Sequence, residues 1–73
     1  MRYQQAILDA LAGATVPLGH RDLVTHLDPN NTDRAAFNDI GLSLTRLYRA
    51  GLVTREYVTR DASQRRFYVY RKA

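Results

Sequence analysis

The stretch "LTRLYRAGLVTREYVTRDASQRRFYVY", residues 44–70, changes its period halfway along. Up to Ala50 the apolar residues recur at helical spacing, and Leu44 and Leu47 continue a stripe begun by Phe37 and Ile40. Gly51 then offers the left-handed backbone that ends a helix, with Leu52 placed to fold back on Leu47 as in a Schellman stop. Beyond it, "VTREYVT" and "RRFYVYR" are rich in Val, Tyr and Phe and flank "RDASQ", which predicts two strands joined by a turn. Asp61 and Ser63 suit that turn because their side chains accept nearby backbone N–H groups. The second half of the chain thus reads as a helix over 33–50 running into a hairpin over 52–71.

Toward the N-terminus the pattern is helical again. In "RYQQAILDALAGA", Tyr3, Ile7, Ala10, Leu11 and Ala14 share one face, and Gly13 followed by "TVP" closes a helix over 3–13. "VPL" at 16–18 is long enough only for a strand stub. "GHRDLVTHL" predicts a second helix over 20–27 with Leu23, Val24 and Leu27 inward, and His20 is placed to help cap its start. "DPNN" (28–31) is turn chemistry: Pro29 sets φ, and the asparagines tolerate left-handed geometry. Asn31, Thr32 and Asp33 are capping residues at the start of the third helix. Gly41, inside that helix, costs about 1 kcal/mol relative to alanine, so close packing or a bend is expected there.

Seventy-three residues form one domain, 1–73, and a domain of this size buries only about 60% of its unfolded surface. Cysteine is absent, which removes disulfides and thiolate metal sites. No apolar run approaches the ~20 residues of a membrane span and no signal-peptide pattern opens the chain, so a soluble, cytoplasmic protein is expected. The net charge of +4 is unevenly spread. Residues 1–33 set Arg2 and Arg21 against Asp9, Asp22, Asp28 and Asp33, a balance of −2. Residues 34–73 set nine basic groups against Asp39, Glu56 and Asp61, a balance of +6 that points to a polyanionic partner for the second half.

The order helix, strand stub, helix, turn, helix, hairpin resembles the winged helix-turn-helix family of small bacterial, archaeal and phage regulators. "LVTHL" with its turn, then "LTRLYRAGLV" running into the basic hairpin, carry the resemblance, which covers almost the whole chain. It implies an α+β fold: three helices, then a two-stranded wing, with a short first strand at 16–18. It also implies a duplex DNA partner, with the third helix in the major groove and the wing on the backbone or minor groove, nucleoid-associated when bound. With Ile40, Leu44 and Leu47 inward, the opposite face of that helix holds Asn38, Leu42, Thr45, Arg46 and Arg49, with Arg34 flanking its start and Asp39 toward the edge. Asparagine and arginine suit base edges, and a small hydroxyl suits phosphate. On the wing the candidates are Arg60, Arg65 and Arg66.

Each feature has a plainer reading beside this one. An amphipathic helix turns polar residues to solvent in any case, and charge at a hairpin tip also prevents edge pairing. Leu42 has no solvent rationale; it suits a thymine methyl or a protein interface. On the last strand Phe67 and Val69 point one way and Tyr68 and Tyr70 the other, and one of these sides packs on the helices. Tyr68 and Tyr70, with Tyr57 or Val58 across the ribbon, or Leu8 on the first helix, are the candidates for a homodimer or partner surface. The alternative function is therefore a protein-interaction module of the same fold, such as a phage-encoded inhibitor or a subunit of a nucleoprotein complex. His20 and His26 stand six apart, off the i, i+4 spacing of a shared metal. Ser43 and Ser63 lack triad patterns, and Asp22 and Asp28 sit at helix ends, so no enzyme, metal or cofactor is expected.

Overall fold

A computed structural model describes residues 3–60 and 65–73, and for Arg60, Arg65 and Arg66 it describes the backbone alone. Three helices pack on a three-stranded antiparallel sheet, in the order α1 (Gln4–Gly13), β1 (Leu18–Gly19), α2 (His20–Leu27), α3 (Ala36–Arg49), β2 (Val53–Arg60) and β3 (Arg65–Lys72). In α1, Ile7 and Leu11 lie one turn apart and are both buried. Gly13 ends this helix and Ala14 is already extended, with ψ 137°. In α2, Leu23 is fully buried while Val24 and Leu27 pack on the core's margin. The Asp22 carboxylate accepts the Gly19 N–H at 3.0 Å, satisfying a donor ahead of the helix and placing negative charge in its first turn.

The turn between α2 and α3 is built around one carboxylate. Asp28 accepts the Thr32 N–H at 3.0 Å, the Thr32 hydroxyl at 2.8 Å and the Asp33 N–H at 3.0 Å. Asn31 takes the left-handed conformation, φ 52°, that its sequence context anticipates. Asp33 then accepts the Ala35 N–H and, through its other oxygen, the Tyr3 hydroxyl at 2.6 Å, which ties the start of α1 to the approach to α3. Residues 33–35 are thereby a turn, and α3 begins at Ala36 rather than at 33. Its end follows the expected stop: Gly51 has φ 78°, its N–H donates to Tyr48 O, and Leu52 N–H donates to Leu47 O.

The core cluster is Ile7, Leu11, Leu23, Ala36, Ile40, Leu44, Leu47, Val53 and Tyr70. Ser43 is buried among them, and among the described residues no buried side-chain polar atom lacks a hydrogen-bond partner. Two expectations need correction. Phe37 is 52% exposed, because Ala36 occupies the inward position one residue earlier on the stripe Ala36, Ile40, Ser43, Leu44, Leu47. The first strand is Leu18–Gly19 rather than 16–18; Val16 is 61% exposed and pairs with no strand.

The sheet has the order β1-β3-β2, so the last strand is the central one. β2 and β3 pair in register from Val53↔Lys72 to Arg60↔Arg65, and β1 pairs through Leu18↔Tyr70 and Gly19↔Val69. Alternation along the strands sets Val53, Arg55 and Tyr57 on one face with Tyr68 and Tyr70. Burial of Val53 and Tyr70 shows that this is the face turned to the helices. Phe67 and Val69 lie on the other face, half-buried.

Candidate functional site

The outward side of α3 is fixed by what lies behind it. Ile40, Leu44 and Leu47 anchor the helix, and at 100° per residue Asn38, Leu42 and Arg49 face directly away from that anchor. All three are exposed, as is Arg46 on the flank, and Leu42 is 54% exposed. Thr45 is half-buried, and its hydroxyl donates back to Gly41 O at 3.2 Å. Arg34 is exposed but belongs to the turn before α3, not to the helix. Arg46 and Arg49 lie in the last turn, where positive charge also complements the helix dipole.

The hairpin meets α3 on its flank, at Tyr48. The backbones of Arg60 and Arg65 face one another at the outer end of the ladder, and Arg66 pairs with Thr59. The side chains of these three arginines, and the Asp61 and Ser63 turn, lie outside the described residues. At the inner end the hairpin is joined to α3 by a stack. The Arg55 guanidinium carbon lies 3.9 Å from the Tyr48 ring centre and 4.2 Å from that of Tyr68. Tyr57 stacks on Tyr68 with centroids 4.4 Å apart and planes 27° from parallel. A cation between two aromatic faces is attracted to both ring quadrupoles, so Arg55 bridges α3, β2 and β3 at once. It also reaches the Tyr70 phenol: burial pushes that group above its ordinary value near 10, while the Arg55 charge and hydrogen bond pull the other way.

The residues expected at a partner surface are placed differently. Tyr70 is a core residue, only 7% exposed beneath the helices. Tyr68 packs against the core's edge and has both Arg55 and Tyr57 against its ring. Leu8 is half-buried against the same core. The exposed aromatic of the ribbon is instead Tyr57, and on α3 it is Tyr48 and Phe37.

A second contact holds α2 to α3. The His20 ring lies 4.2 Å from that of Phe37, and its Nε2 is 2.6 Å from the Phe37 carbonyl, which can only accept and so places the proton on Nε2. His20 therefore does not cap its own helix; it clamps the next one, over Gly41. Neither this clamp nor the Arg55 stack follows from the sequence pattern. The sequence does carry one signal for the stack: an arginine and a tyrosine two apart on one strand, facing two tyrosines two apart on the next.

A shallow cleft of about 400 Å³ opens between the end of α1 and the end of β3, lined by Leu11, Ala14, Val16, Tyr70 and Lys72 among others. It lies apart from α3's outward side and gathers no carboxylates or histidines. No helix of the described residues is long and apolar enough to cross a membrane. No protein-family model matches the chain, and no curated protein or solved structure matches it either.

Proposed function

We propose that the chain is a winged helix-turn-helix protein that binds duplex DNA, a small cytoplasmic transcriptional regulator of phage or mobile-element type. The element order and the sheet order β1-β3-β2 are compatible with that arrangement. The observation that carries the reading is the outward side of α3, where Asn38, Leu42, Arg46 and Arg49 are all exposed on a helix anchored from behind. Fourteen residues of helix are about 21 Å long, enough to lie along a major groove roughly 12 Å wide. Asn38 and Arg49 read base edges, Leu42 meets a thymine methyl, and Arg34 and Arg46 meet phosphates, whereas the Thr45 hydroxyl proton is already given to Gly41 O. The wing, with Arg60, Arg65 and Arg66, follows the backbone or enters the minor groove.

Fluorescence anisotropy of a labelled 20-base-pair duplex of random sequence, titrated at several salt concentrations, tests this. Micromolar binding that weakens steeply with salt is expected, because each neutralised phosphate releases counterions. A folded protein that binds no duplex at low salt refutes the reading. Leu42, at 54% exposure in the centre of the same side, favours the second reading, a module whose α3 docks on a protein. That reading gains if the refuting result is obtained.

A further inference from the structure

The rings between α3 and the hairpin form one continuous pile: Tyr48, Arg55, Tyr68, then Tyr57. Arg55 and Tyr57 both lie against the Tyr68 ring, at 4.2 and 4.4 Å, Arg55 from the rung behind it and Tyr57 from its own rung. The pile thus advances outward along the ribbon, from the Arg55↔Tyr70 rung to the Tyr57↔Tyr68 rung. Tyr57 ends it. With one ring face covered by Tyr68 and 58% of the residue exposed, its other face is open to solvent.

From this geometry we infer that the open face of Tyr57 is a stacking site for an unpaired nucleobase, so that the protein engages DNA where duplex meets single strand. The inference rests on the nucleic-acid reading above. Three observations support a base as the occupant. The ring is already ordered by the pile beneath it, so little side-chain freedom is lost when a flat partner adds one more layer. The pile contains a guanidinium, and the half of the chain that holds it has a balance of +6, which favours an aromatic ring carried on a polyanion over one on a neutral peptide. By register, the next rung on the same face of the ribbon, Thr59↔Arg66, sets one arginine position beside Tyr57, where a strand leaving the base would run, while the Arg60↔Arg65 rung falls on the other face. Base-on-aromatic stacking is tolerant of sequence, because every base has a π face.

Anisotropy with three labelled probes tests the inference: a blunt 20-base-pair duplex, the same duplex with a six-nucleotide single-stranded extension, and a thymidine oligonucleotide. The extension is expected to tighten binding about tenfold, the effect of stacking roughly one base. Tyr57→Ala abolishes that gain, Tyr57→Phe keeps it, and circular dichroism confirms that both variants fold. Equal affinity for blunt and extended duplexes, or a gain that survives Tyr57→Ala, overturns the stacking site and leaves duplex binding standing. Binding to extended and single-stranded probes but not to the blunt duplex supports the stacking site and overturns the duplex reading. Binding to no probe overturns both. A dimer in sedimentation velocity that Tyr57→Ala dissociates also overturns the inference, since a second copy then covers the ring.

Discussion

A Cβ built on Gly41 would sit 2.9 Å from Cε1 of His20 and 3.2 Å from its Nε2, the nitrogen held by the Phe37 carbonyl. The glycine therefore costs about 1 kcal/mol of helix propensity so that the clamp can close. Gly41→Ala alone is expected to be neutral or destabilising, because the ring must leave its hydrogen bond. In a His20→Ala background the same change should stabilise by about 1 kcal/mol, and a double-mutant cycle from urea unfolding measures the difference. Asp28 gives a second prediction. The Thr32 and Asp33 backbone N–H groups, with the Thr32 hydroxyl, hold its carboxyl below the ordinary 3.8. Since the folded value is the lower one, this stabilisation is present above the unfolded carboxylate range and is lost as pH falls through the depressed folded value. Asp28→Asn should remove that part of the acid limb, seen as a smaller loss of thermal stability between neutral pH and pH 3.

Among the elements, the joint between α3 and the hairpin carries the clearest consequence. Lysine at position 55 keeps the charge but loses the flat guanidinium that two rings sandwich. Arg55→Lys is expected to cost about 1 kcal/mol and to speed amide exchange in β2 and β3 more than in α1. Equal acceleration in all elements would mean that Arg55 stabilises the domain without holding the hairpin. Helices α1 and α2 were legible almost to the residue, since the patterns that form them, Ile7 with Leu11 and Leu23 with Leu27, are local. The stop at Gly51 was legible for the same reason. Phe37 was misplaced because alanine is nearly silent in a hydropathy pattern: Ala36 holds the inward position, yet phenylalanine dominates the reading. The start of α3 slipped by three residues because Asp33 spends one oxygen on Ala35 and the other on Tyr3, a partner thirty positions away. Which face of the ribbon packs inward was not legible either, since Phe67 with Val69 and Tyr68 with Tyr70 serve equally as an apolar pair. Of the candidate site, the exposed positions on α3 followed from its period, whereas the burial of Tyr70 and the exposure of Tyr57 depend on how the sheet meets the helices.

The molecule as a whole divides its charge so that α3 and the hairpin hold the positive excess. If these are two parts of one DNA surface, they fail in different ways. Asn38→Ala and Arg49→Ala should each cost about 1–3 kcal/mol on the preferred sequence and much less on random duplex. Arg65→Ala with Arg66→Ala should weaken all sequences alike and reduce the slope of log affinity against log salt by about 1.8, since two phosphates would keep their counterions. A wing pair that altered sequence preference with an unchanged slope would reverse these roles. The whole-molecule arrangement also bears on synthesis. Because β3 lies between β1 and β2, neither outer strand has its sheet partner until residues 65–72 exist. On the ribosome the three helices can gather early, but Leu18 must wait for Tyr70, a separation of 52 residues across the chain. The sheet therefore closes late: a nascent chain halted before residue 65 holds eight of the nine core residues but lacks Tyr70 and both strand pairings, which leaves its strand edges open to proteases and chaperones.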